Sequence, residues 1–346
     1  MIELRDALAR VVGGKDLTRA EAEGIMRRVM EGEATAAQLG ALLAALHLKG
    51  ESVEEIAGFA SALRAYAVPV RVAADAIDTC GTGGDHSGTF NISTVSAIVC
   101  AAAGARVAKH GNRAASSACG SADVLEALGV KIDLGPEGVA RCVEDVGVGF
   151  MFAPRFHPAM RHAAPIRSEL GFRTVFNVLG PLANPAGVRR QLLGVATPRL
   201  GERMARVLGA LGADRVLVVH GEDGLDEISP CGPTRLFELA GGRVEERTLR
   251  PEDVGLAPAR REEISGGDAR RNGEIAEGVL SGAPGGARTA VLLNAGAALY
   301  VAGRAESIRG GVALAAGAID DGKATETLAR FVECSQAYAA SEAMAT

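Results

Sequence analysis

Over residues 1–65 apolar positions recur at helical spacing, and polar starts cut them into separate segments. Three of those starts are capping boxes: Thr18 with Glu21, Thr35 with Gln38, and Ser52 with Glu55. In each pair the hydroxyl accepts from a first-turn N–H, and the carboxyl or amide accepts from the cap's own N–H, so the helix entrance is satisfied from both sides. Leu39, Leu42, Leu43, Leu46 and Leu48 fall close to helical spacing, and Gly50 is placed to end that helix. The pattern predicts a small helical bundle whose plain role is packing or dimer contact without chemistry.

Near Ala67-Val68-Pro69-Val70 the pattern changes, and short β-branched runs alternate with Ala-rich helical stretches. Candidate strands are residues 76–79, 106–108, 147–152, 215–220 and 289–294. Strand, glycine turn and helix in repeated order indicate an α/β fold: a small N-terminal helical domain plus a larger α/β domain with a mostly parallel central sheet. In such sheets the ligand sits beyond the carboxyl ends of the strands. The expected division is 1–70, joined by part of 168–190, and 71–346. Residues 171–187, rich in Gly, Pro and Asn, read as a crossing or hinge segment, and residues 245–278 as a solvated, irregular region.

Bulk properties narrow the function classes. At 346 residues the chain exceeds what one hydrophobic core organises, and 48% hydrophobic with 23% charged residues is a globular composition. A formal net charge of -5 argues against a nucleic-acid partner, because neutralising phosphates along a duplex needs a basic face. The longest apolar run, residues 95–105, contains Ser96 and Gly104 and is far short of the roughly 20 residues a spanning helix needs, so no membrane partner is expected. The mixed charge of Met1-Ile2-Glu3-Leu4-Arg5-Asp6 does not read as a secretory signal, and the expected location is cytoplasmic. Six scattered cysteines without a C-x-x-C pair fit reduced thiols rather than a disulfide framework or zinc site.

The candidate chemistry starts at Gly81-Thr82-Gly83-Gly84-Asp85, between the run 76–79 and the helical stretch 93–103. Glycines let backbone N–H groups approach phosphate oxygens, and a helix N-terminus adds a favourable dipole. A Rossmann loop needs glycine where His86 stands, and a Walker loop needs Lys where Thr89 stands. In isolation the loop is equally a plain tight turn. Asn91, Ser93 and Thr94 then supply hydroxyl and amide groups that suit a phosphate and its magnesium, or else simple helix caps. Lys109-His110-Gly111-Asn112-Arg113, followed by Ser116, Ser117 and Ser121, suits a second phosphate grip, although a lone His110 would read as structural. Asp226 and Glu227, after the run 215–220, can hold magnesium on a pyrophosphate or form an acidic surface turn. His157 and His162 are five apart with no H-E-x-x-H, which excludes a zinc protease.

Together these segments resemble the anthranilate phosphoribosyltransferase family. The resemblance runs from Asp78 to Asp85, through Lys109 to Ser117 and Gly120 to Gly129. It continues in Gly171-Phe172-Arg173-Thr174-Val175-Phe176-Asn177, Leu179-Gly180-Pro181-Leu182 and His220 to Ser229, and so spans most of the chain. It implies transfer of the phosphoribosyl group of phosphoribosyl pyrophosphate to the amine of anthranilate, in tryptophan biosynthesis, by a homodimer joined through the helical domains. By resemblance, Gly81, Gly84, Asp85, Thr89, Asn91, Ile92, Ser93, Thr94, Lys109, His110, Gly111, Asn112, Arg113, Ala114, Ala115, Ser116, Ser117 and Ser121 bind phosphoribosyl pyrophosphate. Gly81, His110, Asn112 and Arg167 contact anthranilate. Ser93, Asp226 and Glu227 ligate magnesium, two ions per subunit with Glu227 shared, and Lys109, Arg167, Asp226 and Glu227 are the catalytic set.

The implied chemistry matches the residue types. Positive charge grows on the sugar and negative charge on the leaving pyrophosphate, which magnesium and Lys109 can stabilise. An aromatic amine is neutral at pH 7, so catalysis is expected to rest on positioning and electrostatics rather than on a strong base. Arg167 offers a planar fork for the anthranilate carboxylate. Two departures touch no proposed ligand: Ala196-Thr197 after Gly194-Val195, and Pro230-Cys231 after Ile228-Ser229. The competing readings are a pyrimidine nucleoside phosphorylase, whose phosphate site is less well matched, and a non-catalytic nucleic-acid-binding relative, which the net charge and the intact acid pair disfavour.

Overall fold

The computed structural model describes residues 2–114 and 118–345. Helix α1 (Leu4–Val12) begins without a side-chain cap, whereas α2 (Arg19–Met30), α3 (Ala36–Lys49) and α4 (Val53–Tyr66) each start at their predicted capping box. Gly50 ends α3 with φ 82°. Leu39, Leu42, Leu43 and Leu46 are buried, but Leu48 is 86% exposed and falls outside the packed stripe. Among the described residues no helix is long and apolar enough to cross a membrane.

Seven strands form one sheet: β1 (Ile77–Gly81), β2 (Val107–Gly111), β3 (Val148–Phe152), β4 (Arg190–Gly194), β5 (Arg215–Gly221), β6 (Thr234–Ala240) and β7 (Arg243–Leu249). Their order is β3-β2-β1-β4-β5-β6-β7, with the first five parallel and antiparallel pairing between β5 and β6 and between β6 and β7. The crossovers are helical: α5 (Ile92–Ala102) after β1, then α6 (Ser121–Ala127) and α7 (Pro136–Asp145) after β2. The crossing from β3 to β4 carries α8 (Ala153–Phe156), α9 (Ala164–Leu170) and α10 (Phe176–Leu179), and α11 (Pro198–Ala210) links β4 to β5. The chain ends in α12 (Ala269–Leu280), α13 (Gly286–Val301), α14 (Ile308–Asp320) and α15 (Lys323–Ala345).

Side-chain alternation along the strands feeds two cores. Leu192, Leu217 and Val219 point to one, with α5 and α13; Leu193, Val216 and Val218 point to the other, with the N-terminal helices and α11. Val175, Phe176, Leu179 and Leu182 of the crossing segment pack into that second core, so this Gly- and Pro-rich stretch is firmly seated against the helical bundle.

Two sequence expectations are corrected. Residues 289–294 are not a strand but the middle of α13, a 16-residue helix. A short apolar run cannot be assigned by periodicity alone, and here the apolar positions extend on both sides to helical length. Residues 245–278 are not irregular throughout: they hold most of β7, two short 3-10 turns and most of α12. β4 and β6 were not anticipated either. β6 and β7 form a hairpin across Gly241 and Gly242, with φ 57° and 78°, the conformation that closes a two-residue turn.

Candidate active site

The strand order reverses between β1 and β4, and a crevice at such a switch point is where open α/β sheets bind ligands. Gly81 ends β1 directly beside Gly194, which ends β4. The turn after β5 folds back over both ends. A Cβ on Gly81 would stand 2.4 Å from Asp226 Oδ2, and one on Gly194 would stand 1.6 Å from the Asp226 carbonyl oxygen. Absence of side chains at these two positions is what lets the acid pair reach the mouth of the sheet.

Hydrogen bonds then knit the predicted segments together. Gly83 N donates to Asp226 Oδ2 at 2.7 Å, and Ser93 N, in the first turn of α5, donates to Glu227 Oε1 at 3.1 Å. Asp226 N donates to Asp85 Oδ2 at 3.4 Å, and Thr82 N to the Gly194 carbonyl at 2.9 Å. Lys109 is buried; its Nζ donates to the Thr79 carbonyl and lies 3.4 Å from Ser93 Oγ. His86 takes a left-handed φ of 52°, uncommon for a residue that carries a side chain. A strap covers the loop: Thr89 bridges to Ser265, Gly266 N donates to the Gly88 carbonyl, and Arg261 joins Asp223 to the Ser87 carbonyl.

The electrostatics are uneven. Burial, then the neighbouring Glu227 and Asp85 charges, push the Asp226 carboxyl well above its ordinary range. Burial pushes Glu227 up to about 7, opposed by Lys109. Asp78, wholly buried behind Lys109, is likewise raised by burial, while Asn184 Nδ2 donates to it at 2.8 Å and His110 N at 3.3 Å. The site therefore holds more buried carboxylates than buried cations, which suits an added cation.

Other predicted residues lie at the edges of this network. Asn112 O accepts from Ser121 Oγ, and Ala114 N donates to Asp123, which fixes the backbone after β2. Arg113 is turned away onto Asp123 and Glu126 at 2.9 and 2.5 Å, with its guanidinium already engaged. Thr94 is buried, and its Oγ1 has no hydrogen-bond partner among the described residues; Ile92 is core. Ala115, Ser116 and Ser117 lie outside the described residues. Arg167 stands apart from the network. It sits 5.0 Å over the Phe176 ring, with no carboxylate partner among the described residues, and burial lowers its pKa.

The structure adds residues that the sequence reading did not assign. His157 lies 5.0 Å from His110, ring to ring; burial lowers them to about 4 and about 3, so both are neutral, and the Nε2 of each has no hydrogen-bond partner among the described residues. Asn272 Nδ2 donates to Asn91 Oδ1 at 2.9 Å and so orients the start of α5. The Arg173 guanidinium occupies the space where a Gly84 Cβ would be. Only Arg173 stood inside a stretch that already carried the resemblance; the others come from segments distant in sequence.

Two family models match the chain. One, described as the α/β domain of a glycosyl transferase family, covers residues 73–325, and the other, its helical bundle domain, covers 5–67. An anthranilate phosphoribosyltransferase of Thermomicrobium roseum is 57% identical over 340 residues, covering 97% of this chain and 98% of that one. That of Rubrobacter xylanophilus is 54% identical over 97% of this chain and 98% of its own. The chain belongs to the anthranilate phosphoribosyltransferase family. The fold agrees throughout: the crystal structure of the family member from Thermus thermophilus superposes with TM-score 0.91 at 47% identity, covering 96% of this chain and 99% of that one. The family member from Saccharomyces cerevisiae, in complex with PRPP (phosphoribosyl pyrophosphate) and Mg, gives TM-score 0.88 at 27% identity, covering 96% and 98% of the two chains.

Proposed function

We propose that this chain carries out the transfer that names its family: the anthranilate amine attacks C1 of phosphoribosyl pyrophosphate, and pyrophosphate leaves. The observation that carries the reading is the convergence of the Gly81–Asp85 loop, the start of α5, Lys109 and the Asp226-Glu227 turn at the sheet's switch point. Backbone N–H groups of the loop and of α5 face anionic oxygens, and Lys109 adds a fixed positive charge where the leaving group gathers negative charge. The neutral His110 and His157 rings, tilted 55° to each other, supply uncharged aromatic surface for the acceptor, and Arg167 supplies the fork for its carboxylate.

The donor set fits magnesium. Asp226, Glu227 and Ser93 offer hard oxygens beside surplus negative charge, and magnesium takes one or two carboxylates plus substrate phosphate rather than an all-protein cage. Among the described residues no three His, Cys, Asp or Glu side chains converge as such a cage. Bound there, two magnesium ions per subunit would neutralise charge on the pyrophosphate oxygens. The division into 1–70 with part of 168–190, and 71–346, has its support in the second core, where the crossing segment packs with the bundle. The proposal includes a homodimer joined through the helical domain. The setting is a cytoplasmic one.

The test is loss of anthranilate fluorescence on mixing the protein with both substrates and magnesium. A loss that requires all components supports the assignment, and no magnesium-dependent loss removes it. Arg167→Ala is expected to raise the KM for anthranilate roughly 10- to 100-fold, the worth of a charge-assisted bond, while that for phosphoribosyl pyrophosphate stays within about twofold. Equal effects on both would leave Arg167 a structural part of α9.

A further inference from the structure

We infer that Asn294, in the middle of α13, is a positioning residue that sets the metal-binding carboxylates of Asp226 and Glu227; this rests on the reading of those two residues as magnesium ligands. Asn294 is fully buried, and its amide grips both polar groups of one residue in the acid turn. Oδ1 accepts from Ile228 N at 2.9 Å, and Nδ2 donates to the Ile228 carbonyl at 3.0 Å, with a second bond to Ala290 O at 2.9 Å on its own helix.

The Ile228 N–H belongs to the peptide group that carries the carbonyl of Glu227. Holding that group fixes the backbone torsion on which the Glu227 side chain depends, and through it the approach of Asp226 to Gly81 and Gly194. No other side chain in the described residues holds both groups of Ile228, and Ile228 itself is buried, so water cannot replace the clamp. α13 is a rigid base for it: the helix packs against α5 and against β4 and β5 and belongs to the core on that side of the sheet. A buried amide is unfavourable in an apolar helix unless fully partnered, and every partner but one here lies in the acid turn. Outer groups that orient metal ligands in this way are worth roughly 10- to 100-fold in metal affinity or activity.

The test is calorimetric titration of MgCl2 into purified Asn294→Leu protein at fixed phosphoribosyl pyrophosphate, with kcat and KM measured alongside. The apparent magnesium dissociation constant is expected to rise roughly 10- to 100-fold. The KM for anthranilate should stay within about twofold, and excess magnesium should restore much of kcat. Asn294→Asp keeps the acceptor for Ile228 N and removes both donors, and it serves where the leucine variant does not fold. A folded variant of either kind with a lowered Tm but an unchanged magnesium constant overturns the inference. The double replacement Asp226→Asn with Glu227→Gln separates the two ideas. If it too leaves the titration unchanged, the metal reading fails; if it alone changes the titration, only the role of Asn294 fails.

Discussion

Replacing Asp226 by Asn and Glu227 by Gln together is expected to lower kcat/KM by roughly 100- to 1000-fold while raising the Tm of the substrate-free protein. The amide oxygens can still accept from Gly83 N and Ser93 N, so the turn keeps its place. What disappears is buried negative charge. A carboxyl whose folded pKa lies above its unfolded value binds protons better in the folded state. That contribution to stability is complete below the unfolded value near 4.5 and is lost as pH rises through the folded value, about 7 for Glu227. Above pH 7 the native site is therefore strained by its own charges, and the double variant is relieved by about 3 kcal/mol, or roughly 4 °C in Tm. The gain should shrink towards zero between pH 8 and pH 5. A pH-independent Tm difference would show that the two carboxyls are not charged and buried as described. Lost activity beside gained stability is the pattern of a site arranged for a charged ligand rather than for the empty fold.

Gly194→Ala should be the most damaging single methyl group in the sheet. Its Cβ would fall 1.6 Å from the Asp226 carbonyl oxygen and 2.5 Å from the carbonyl carbon, and neither is the movable end of a side chain. The acid turn must lift away from β4, breaking the contacts of Gly83 and Ser93 with the acid pair. Activity is expected to fall at least about 100-fold, with about 3 kcal/mol of stability lost in urea unfolding. Gly232→Ala serves as the control, since nothing stands within 4 Å of a Cβ there, and should change stability by under about 0.5 kcal/mol. Similar behaviour of the two variants would mean that the turn does not lie on the strand end as described.

Much of this was legible in the chain because its determinants are local. The capping boxes at Thr18, Thr35 and Ser52 each close within three residues, and all three form. β1, β2, β4 and β5 end in glycine, and β-branched runs were visible for β1, β2, β3 and β5. The hairpin at Gly241-Gly242 also had a local signal, two adjacent glycines between alternating residues, but the charged face of β7 masked it. Residues 289–294 misled for the opposite reason: six mostly apolar residues carry no usable period, and only their burial on every side shows a central helix.

The amino-acid sequence by itself determined the helical bundle, the α/β class, the glycine loop, the acid pair and, through family resemblance, the reaction. It did so because caps, turns and motif spacing act over a few residues, and a motif keeps its chemistry wherever the fold carries it. Only the tertiary structure decided which groups meet. It placed Gly194 beneath Asp226, His157 against His110, Asn184 on Asp78, and Asn294 on the peptide after Glu227. Those partners lie 32 to 106 positions apart, counting from Gly194 to Asp226 and from Asp78 to Asn184. No local pattern encodes such pairs, because a buried polar group is satisfied by whatever the packed sheet and helices bring to it.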